Sequence, residues 1–188
     1  MVTQPVGFRP LRALATALRT PSLALALALS APLACADTAT TREVARSIDI
    51  AAPADAVWAI VGDFGDMSYL DAMVSETEIV RGENNAVGAQ RAITLHDGGR
   101  ILETLTDRQA QPPTLSYRMD EGPLPVADYQ ATLEVTPSGD ASRVTWSGRF
   151  RPLADAATGD DDGTAAEALI GGIYEAGLAA IKTAAEHR

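Results

Sequence analysis

The residues best able to do chemistry in this chain are two charged side chains set among apolar neighbours. Arg91 stands two positions before Ile93, and Glu103 stands two positions before Leu105. Successive side chains of a strand point to opposite faces, so we expect both charges to point inward with their apolar neighbours. A lone buried charge is costly, and an inward arginine and glutamate must therefore meet each other, water or a ligand.

Two interpretations of Arg91 and Glu103 satisfy this requirement. In the first, they are the polar end of an apolar pocket and the candidate catalytic residues, because burial can raise the pKa of a carboxyl group enough for proton transfer. In the second, they are a structural ion pair near the open rim of a sheet. If the Asp-Gly-Gly turn at 97–99 sets Leu95 opposite Ile101, Arg91 is a diagonal neighbour of Glu103 and within its reach.

The other candidates for a ligand site are apolar and aromatic residues from the inward phase of the strands, from the two helices and from the connecting segments. Pockets for small molecules are lined mainly by such residues, and so are ordinary cores, so core packing stays open as the alternative for each ring. A Gly- and Pro-rich segment at 121–126 is either a gate over the ligand or a rigid connection. The candidate ligand-binding set is Trp58, Phe64, Arg91, Ile93, Glu103, Tyr117, Leu124, Tyr129, Trp146, Tyr174 and Leu178.

Short strands and two kinds of helix are predicted to position these residues. Residues 44–50 alternate as a first strand, Pro53 suits the first turn of a helix that ends near Gly62, and 66–73 form a second short helix. Six further strands follow, separated by turn residues. They cover 74–81, 88–96, a strand from 100 to the Pro-Pro at 112–113, 115–119, 128–136 and 143–151.

A long helix is predicted to end the chain. Thr164 and Glu167 have the spacing of a capping box. One broad buried face follows at helical spacing, formed by Ile170, Ile173, Tyr174, Gly177, Leu178 and Ile181. The glycines of this helix each cost about 1 kcal/mol relative to alanine, and such a cost goes with close packing or with space left open. These glycines are Gly171, Gly172 and Gly177.

The stretch 48–64 passes from a strand through Ala-Pro into a helix with Val57, Trp58 and Val61, and a strand meander and an Ala-rich helix follow. This order resembles the START-like (SRPBCC) superfamily, the polyketide cyclase/dehydrase and Bet v 1 group, over 44–182. The resemblance implies an α+β helix-grip fold. It has a curved antiparallel sheet of about six to seven strands around a long C-terminal helix, two short helices after strand 1, and a cavity for an apolar ligand.

The first 36 residues have the layout of a secretory signal peptide, with a basic start, an apolar core at 23–29 and small residues at Ala34 and Ala36. We expect cleavage after Ala36, a tether at 37–43 and one domain at 44–188, in the periplasm or secreted. The alternative is a lipoprotein anchored at Cys35. The apolar core is too short to span a bilayer, and no transmembrane segment is predicted in the mature protein.

Composition excludes several classes of function. The leader holds three arginines and no acidic residue, which leaves 12 basic and 25 acidic residues and a net charge of about −13. Such a surface argues against nucleic acid or anionic membrane as a partner. Cys35 is the only cysteine, His96 has an outward phase and His187 is penultimate, so a thiolate site or a nucleophilic triad has no parts. No metal site and no cofactor are predicted.

Three functions remain open. The first, which is favoured, is non-catalytic binding of a small apolar or amphipathic ligand in an internal cavity. The second is a cyclase or dehydratase that uses Glu103 with Arg91 or a tyrosine on a bound polyketone, although export counts against it. The third is a periplasmic accessory protein of a redox enzyme such as methanol dehydrogenase, because the chain is similar to START-like proteins of that kind in size and export signal.

Overall fold

The fold is an antiparallel sheet of seven strands with two helices, as a computed structural model describes it for residues 41–153 and 163–187. The helices are α1 (Ala54–Val61) and α2 (Thr164–Glu186), and a 3₁₀ turn (Ser68–Leu70) follows α1. The strands are β1 (Arg42–Ile50), β2 (Val74–Arg81), β3 (Gln90–Leu95), β4 (Arg100–Ala110), β5 (Pro113–Glu121), β6 (Val126–Ser138) and β7 (Ala141–Pro152).

These elements follow the predicted order with small differences at their ends. The second short helix is a single 3₁₀ turn, and β1 begins two residues before the expected start at Val44. The predicted signal peptide, the alternative anchor at Cys35 and the tether up to residue 40 lie outside the described residues.

The order of strands in the sheet is β1-β7-β6-β5-β4-β3-β2, with every neighbouring pair antiparallel. From β2 to β7 this is a simple meander, and only β1 pairs out of sequence, with β7. The alternation seen in the sequence places one face of each strand inside, as in β6, where Tyr129, Ala131, Leu133 and Val135 are buried. The curved sheet thus presents a continuous apolar face to α2.

Helix α2 lies against this apolar face. Its buried residues include Ile170, Tyr174, Leu178 and Ile181, which recur at the predicted spacing. By length and composition α2 is apolar enough to cross a membrane, but this apolar stripe forms part of the protein core. The end of the helix is fixed to β1, because Glu186 accepts a hydrogen bond of 2.8 Å from the N–H of residue 51.

The glycines of α2 have different surroundings. A Cβ at Gly177 would collide with the ring of Trp146, and a Cβ at Gly171 would meet the guanidinium of Arg46. A Cβ at Gly172 would meet nothing within 4 Å. Close packing therefore explains the glycine at 177, where the helix approaches β7, but not the glycine at 172.

The helix caps correct two details of the sequence prediction. Pro53 is the N-cap of α1 rather than part of its first turn, and its carbonyl accepts the N–H of Ala56 at 3.0 Å. The N-cap of α2 is Gly163, with φ of 80°, whose carbonyl accepts the N–H of Glu167 at 3.0 Å. The capping box expected from Thr164 and Glu167 was wrong, because the helix starts at Thr164, one residue earlier than that motif requires.

The turn between β3 and β4 corrects the predicted register. The N–H of Leu95 donates to the carbonyl of Gly99 at 2.8 Å, so residues 96–98 form the loop rather than 97–99. Gly98 takes the left-handed position of this loop, with φ of 87°. As a result Ile101 pairs with Ile93 rather than with Leu95, a shift of two residues. A shift of two keeps every side chain on its face, so the inward phase was right and only the partners were wrong.

Candidate ligand cavity and buried ion pair

A cavity of about 390 Å³ lies between the inner face of the sheet and α2, at the end where the 3₁₀ turn and the loop before β6 meet. Its volume falls in the lower part of the range of roughly 300–1,000 Å³ typical of small-molecule sites. The walls are mostly apolar. They are formed by Met67, Leu70, Ala72, Met73, Val74, Ile93, Leu95, His96, Asp97, Ile101, Glu103, Tyr117, Met119, Pro123, Leu124, Tyr129, Trp146 and Ile173.

A second recess, of about 500 Å³, crosses the outer face of the sheet. Small hydroxyl side chains form part of it, and Ser116 and Thr132 already hydrogen-bond each other at 2.8 Å. Because this surface is polar and already hydrogen-bonded, covering it offers little hydrophobic gain. The inner cavity is therefore the better candidate for a ligand site.

The predicted ligand-binding residues divide into two groups. One group lines the cavity, and it consists of Ile93, Glu103, Tyr117, Leu124, Tyr129 and Trp146. The other group lies outside the cavity lining, and it consists of Trp58, Phe64, Arg91, Tyr174 and Leu178. Alternation identified the inner face correctly, but the cavity occupies only one end of that face.

The residues outside the cavity fill the core or pack on its far side. Tyr174 is fully buried and stacks on the indole of Trp146, with ring centroids 4.9 Å apart. Leu178 is buried on the same face of α2. Trp58 is partly buried and lies under the guanidinium of Arg108, which is 5.3 Å from the ring centroid. Core packing, the alternative left open for Trp58, describes its position.

Several lining residues were absent from the predicted set. Met67, Met73 and Val74 come from the segment around the 3₁₀ turn, and Ile173 comes from α2. The methionines could have indicated a binding site from the sequence, because flexible thioether side chains are common at adaptable binding surfaces. Their position against the sheet depends on how the segment folds back, which no local pattern specifies.

Arg91 and Glu103 face each other directly across β3 and β4. The Nε and Nη2 atoms of Arg91 both donate to Oε2 of Glu103, at 2.8 and 2.6 Å. The two residues are only 3% and 7% exposed. The expected meeting of the two charges is thus present, as a direct pair rather than a diagonal one.

The rest of the Arg91 guanidinium is held by Phe64. Its Nη1 donates to the Phe64 carbonyl at 2.8 Å, and the phenyl ring lies 4.3 Å from the guanidinium carbon. Asn85 in turn accepts the N–H of Phe64 at 2.8 Å, and Asp63 accepts a hydrogen bond of 2.6 Å from Asn84. The loop after α1 therefore fixes the cation behind the cavity wall, which is the role the structure gives Phe64.

Burial and the facing charge act in opposite directions on this pair. Burial raises the pKa of Glu103 above its usual value, and Arg91 offsets part of that rise. Burial by itself would lower the pKa of Arg91, but Glu103 and two tyrosines outweigh it and leave that pKa raised. The guanidinium therefore stays charged, and a buried cation requires an anionic partner.

Two pairs of aromatic side chains carry further buried polar atoms. The indole N–H of Trp146 donates to the Tyr117 hydroxyl at 3.0 Å, and the Tyr129 and Tyr174 hydroxyls are 2.8 Å apart. Burial raises the pKa of Tyr117 and of Tyr129 well above the usual value for tyrosine. Both lining tyrosines are therefore neutral hydrogen-bonding groups at neutral pH.

These residues limit the chemistry available. No cluster of three or more metal-binding side chains occurs in 41–153 or 163–187. His96 lies at the rim, with Nε2 2.8 Å from the carbonyl of Asp71. The cavity can thus surround an apolar molecule and offer it hydrogen bonds, and Glu103 is its one buried carboxylate within the described residues.

The chain has the helix-grip, Bet v 1-like fold. In this class of proteins an antiparallel sheet curves around one long helix and leaves an apolar cavity between sheet and helix. The chain belongs to the family described as polyketide cyclase / dehydrase and lipid transport, whose model matches residues 41–186. The predicted superfamily and fold class are confirmed.

Relatives agree with this assignment. A Streptomyces halstedii protein named as a candidate polyketide cyclase is 30% identical over 97 residues, which are 50% of this chain and 89% of that protein. Protein XoxI of Bacillus cereus is 26% identical, with a TM-score of 0.64 over 76% of this chain and 94% of its own. Norcoclaurine synthase of Thalictrum flavum, in complex with dopamine and hydroxybenzaldehyde, is 21% identical, with a TM-score of 0.60 over 77% and 86%. At that identity the likeness shows the fold alone.

Proposed function

We propose that this protein is an exported binding protein that holds a small apolar or amphipathic molecule in the inner cavity. The observation that carries the proposal is the cavity itself, in which apolar side chains from the sheet, α2 and two loops surround a single buried carboxylate. Apolar walls favour transfer of an apolar body from water, and a few buried polar groups orient one end of it.

The size of the cavity indicates the size of the ligand. At roughly 30 Å³ for each water-sized group, 390 Å³ corresponds to about thirteen such groups. A medium-length chain or a substituted aromatic ring matches this volume. Leu124 and Pro123 belong to the loop before β6 and form part of the wall, so this loop is the segment past which such a ligand would enter.

A titration with N-phenyl-1-naphthylamine, an uncharged apolar dye that fluoresces in apolar surroundings, tests the proposal. We expect saturable binding at one site on the domain that follows the predicted cleavage point. Ile173→Trp fills the cavity from α2 and should abolish this binding. Leu169→Trp adds the same ring one turn earlier, at a position that is 44% exposed and outside the lining, and should bind the dye as the wild type does. Equal binding by both variants would place the dye elsewhere and contradict the proposal.

A second candidate function is acid–base catalysis of the cyclase or dehydratase kind. It is favoured by Glu103, whose carboxyl group lines the cavity and whose pKa burial raises. In this alternative Glu103 transfers protons for a bound polyketone. The distinguishing measurement is turnover of such a substrate in Glu103→Gln. Loss of turnover with dye binding retained supports the enzyme, and no turnover in the wild type supports the binder.

Export is proposed from the leader alone. Secretion of the full chain in a bacterial host, followed by mass spectrometry of the mature product, tests it. A product that begins at Asp37 supports a soluble exported protein, and a product that begins at a lipid-modified Cys35 supports the anchored alternative. An uncleaved chain in the cytoplasm would contradict both.

A further inference from the structure

The two oxygens of the Glu103 carboxylate have different surroundings. Oε2 receives both hydrogen bonds from Arg91. Oε1 receives no hydrogen bond from any residue in the described part of the chain. It nevertheless keeps some accessible surface, because it is not fully enclosed by protein atoms. Since Glu103 is 93% buried and lines the cavity, the surface that Oε1 retains is cavity surface. A buried carboxylate oxygen thus faces the ligand space with its acceptor capacity unused.

The positive partner is not offered to the ligand. Arg91 is absent from the cavity lining and lies behind Glu103, with its guanidinium between the rings of Phe64 and Tyr117, at 4.3 and 5.1 Å. From inside the cavity the pair therefore presents an acceptor rather than a donor. The charge of the Glu103 carboxylate is nevertheless balanced, because the Arg91 guanidinium contacts it directly.

Tyr117 supplies a complementary donor on the same wall. It lies on β5 opposite Leu105, which makes it a diagonal neighbour of Glu103 across β4 and β5. Its oxygen accepts the N–H of Trp146, and its own proton has no acceptor among the described residues. The polar end of the cavity therefore combines one free acceptor with one free donor, which is the complement of a hydroxyl group.

We propose, building on the binding function above, that the cavity selects a ligand whose buried polar end is an uncharged alcohol or phenol. Such a group can donate to Oε1 of Glu103 and accept from Tyr117 without adding charge. A carboxylate would set a second anion against Glu103. An ammonium group would leave a net positive charge in an apolar site, because the pair is already balanced.

Displacement of the naphthylamine dye from the wild-type protein by matched compounds tests this proposal. The probes are decan-1-ol, its isomer methyl nonyl ether, decanoic acid and decylamine, at about pH 8, where the acid and the amine are charged. 4-Butylphenol is added to compare a phenol with an aliphatic alcohol. A hydrogen bond to a charged acceptor is a strong one, so decan-1-ol should bind about tenfold more tightly than its ether isomer. It should also bind about tenfold or more tighter than the acid and the amine.

Variants locate the selection at Glu103. In Glu103→Gln the preference for decan-1-ol over decanoic acid should fall by about tenfold, whereas Glu78→Gln, the same change on an exposed carboxylate of β2 outside the cavity lining, should leave it unchanged. If Glu103→Gln does not fold, the wild-type series decides alone. Equal affinity for the alcohol and the ether, or tighter binding of the acid or the amine, would overturn this inference. Failure of every probe and of the dye to bind would instead overturn the proposed binding function.

Discussion

The Arg91–Glu103 pair gives the sharpest prediction for stability. Each residue can be replaced by an apolar residue of similar length, as Arg91→Met, as Glu103→Leu, and as both together. Each single change leaves the other charge buried at 3% or 7% exposure without its partner. The double change removes both charges at once and keeps most of the volume. We therefore expect the two single changes to be strongly non-additive.

The magnitudes follow from the contacts. Removing one member of a buried pair costs about 3–5 kcal/mol, whereas replacing the whole pair by apolar residues is often neutral. In the double variant the Phe64 carbonyl also loses the donor that now lies 2.8 Å away, which costs about 1–3 kcal/mol. The free energy of unfolding of the double variant should thus be about 2 kcal/mol lower than that of the wild type, and that of each single variant about 4 kcal/mol lower.

Urea unfolding of the four proteins measures this. With a slope of about 2 kcal/mol per molar urea, each single variant should shift its midpoint down by about 2 M, and the double variant by about 1 M. Far-UV circular dichroism before denaturation checks that each variant is folded. If the double variant lost the sum of the two single losses, the pair would contribute no coupling. The argument that each charge requires the other would then be refuted.

Two further predictions concern pH and the helix glycines. Because burial raises the pKa of Glu103 above its usual 4.5, the folded protein holds this proton more tightly than the unfolded chain. The stability that this group contributes is complete below about pH 4.5 and is lost as the pH rises through the folded pKa. The difference in the free energy of unfolding between the wild type and Glu103→Gln, measured in urea, should therefore decrease between about pH 4.5 and the folded pKa and stay constant at higher pH. Gly172→Ala, with open space at its Cβ, should raise the free energy of unfolding by up to about 1 kcal/mol, whereas Gly177→Ala, which meets Trp146, should lower it by about 1–3 kcal/mol. Equal shifts from the two alanines would contradict the packing explanation.

Most of the fold could be predicted from the sequence because local signals agree with one another. Period-two alternation identifies the strands, and β2 begins and ends where the sequence predicted. The apolar spacing from Ile170 to Ile181 identifies α2. The ends of elements were less certain, because a cap depends on one backbone conformation. The left-handed Gly163 displaced the expected capping box at Thr164.

The site could be predicted only in part, since alternation gives the face of a residue but not its depth along the sheet. It placed Glu103 and Tyr117 correctly on the inside, and both line the cavity. Together with the helical spacing of α2, it could not separate them from Tyr174 and Leu178, which face the sheet from α2 but pack where no space remains. The cross-strand partner of Arg91 depended on which three residues form the turn, the predicted 97–99 or the observed 96–98. Only the positive φ of Gly98, a property of the folded turn, decides that.

The geometry also removes the need to choose between the two interpretations of Arg91 and Glu103. A carboxylate has two oxygens, and in Glu103 one of them binds the arginine while the other faces the cavity. Stability therefore depends on Oε2 and ligand selection on Oε1, within the same side chain. The fixed guanidinium holds the carboxylate in one orientation and offsets part of the rise that burial gives to its pKa, so the acceptor that meets the ligand is already in position. A structural ion pair is, in this arrangement, the means by which an apolar cavity keeps one oriented acceptor.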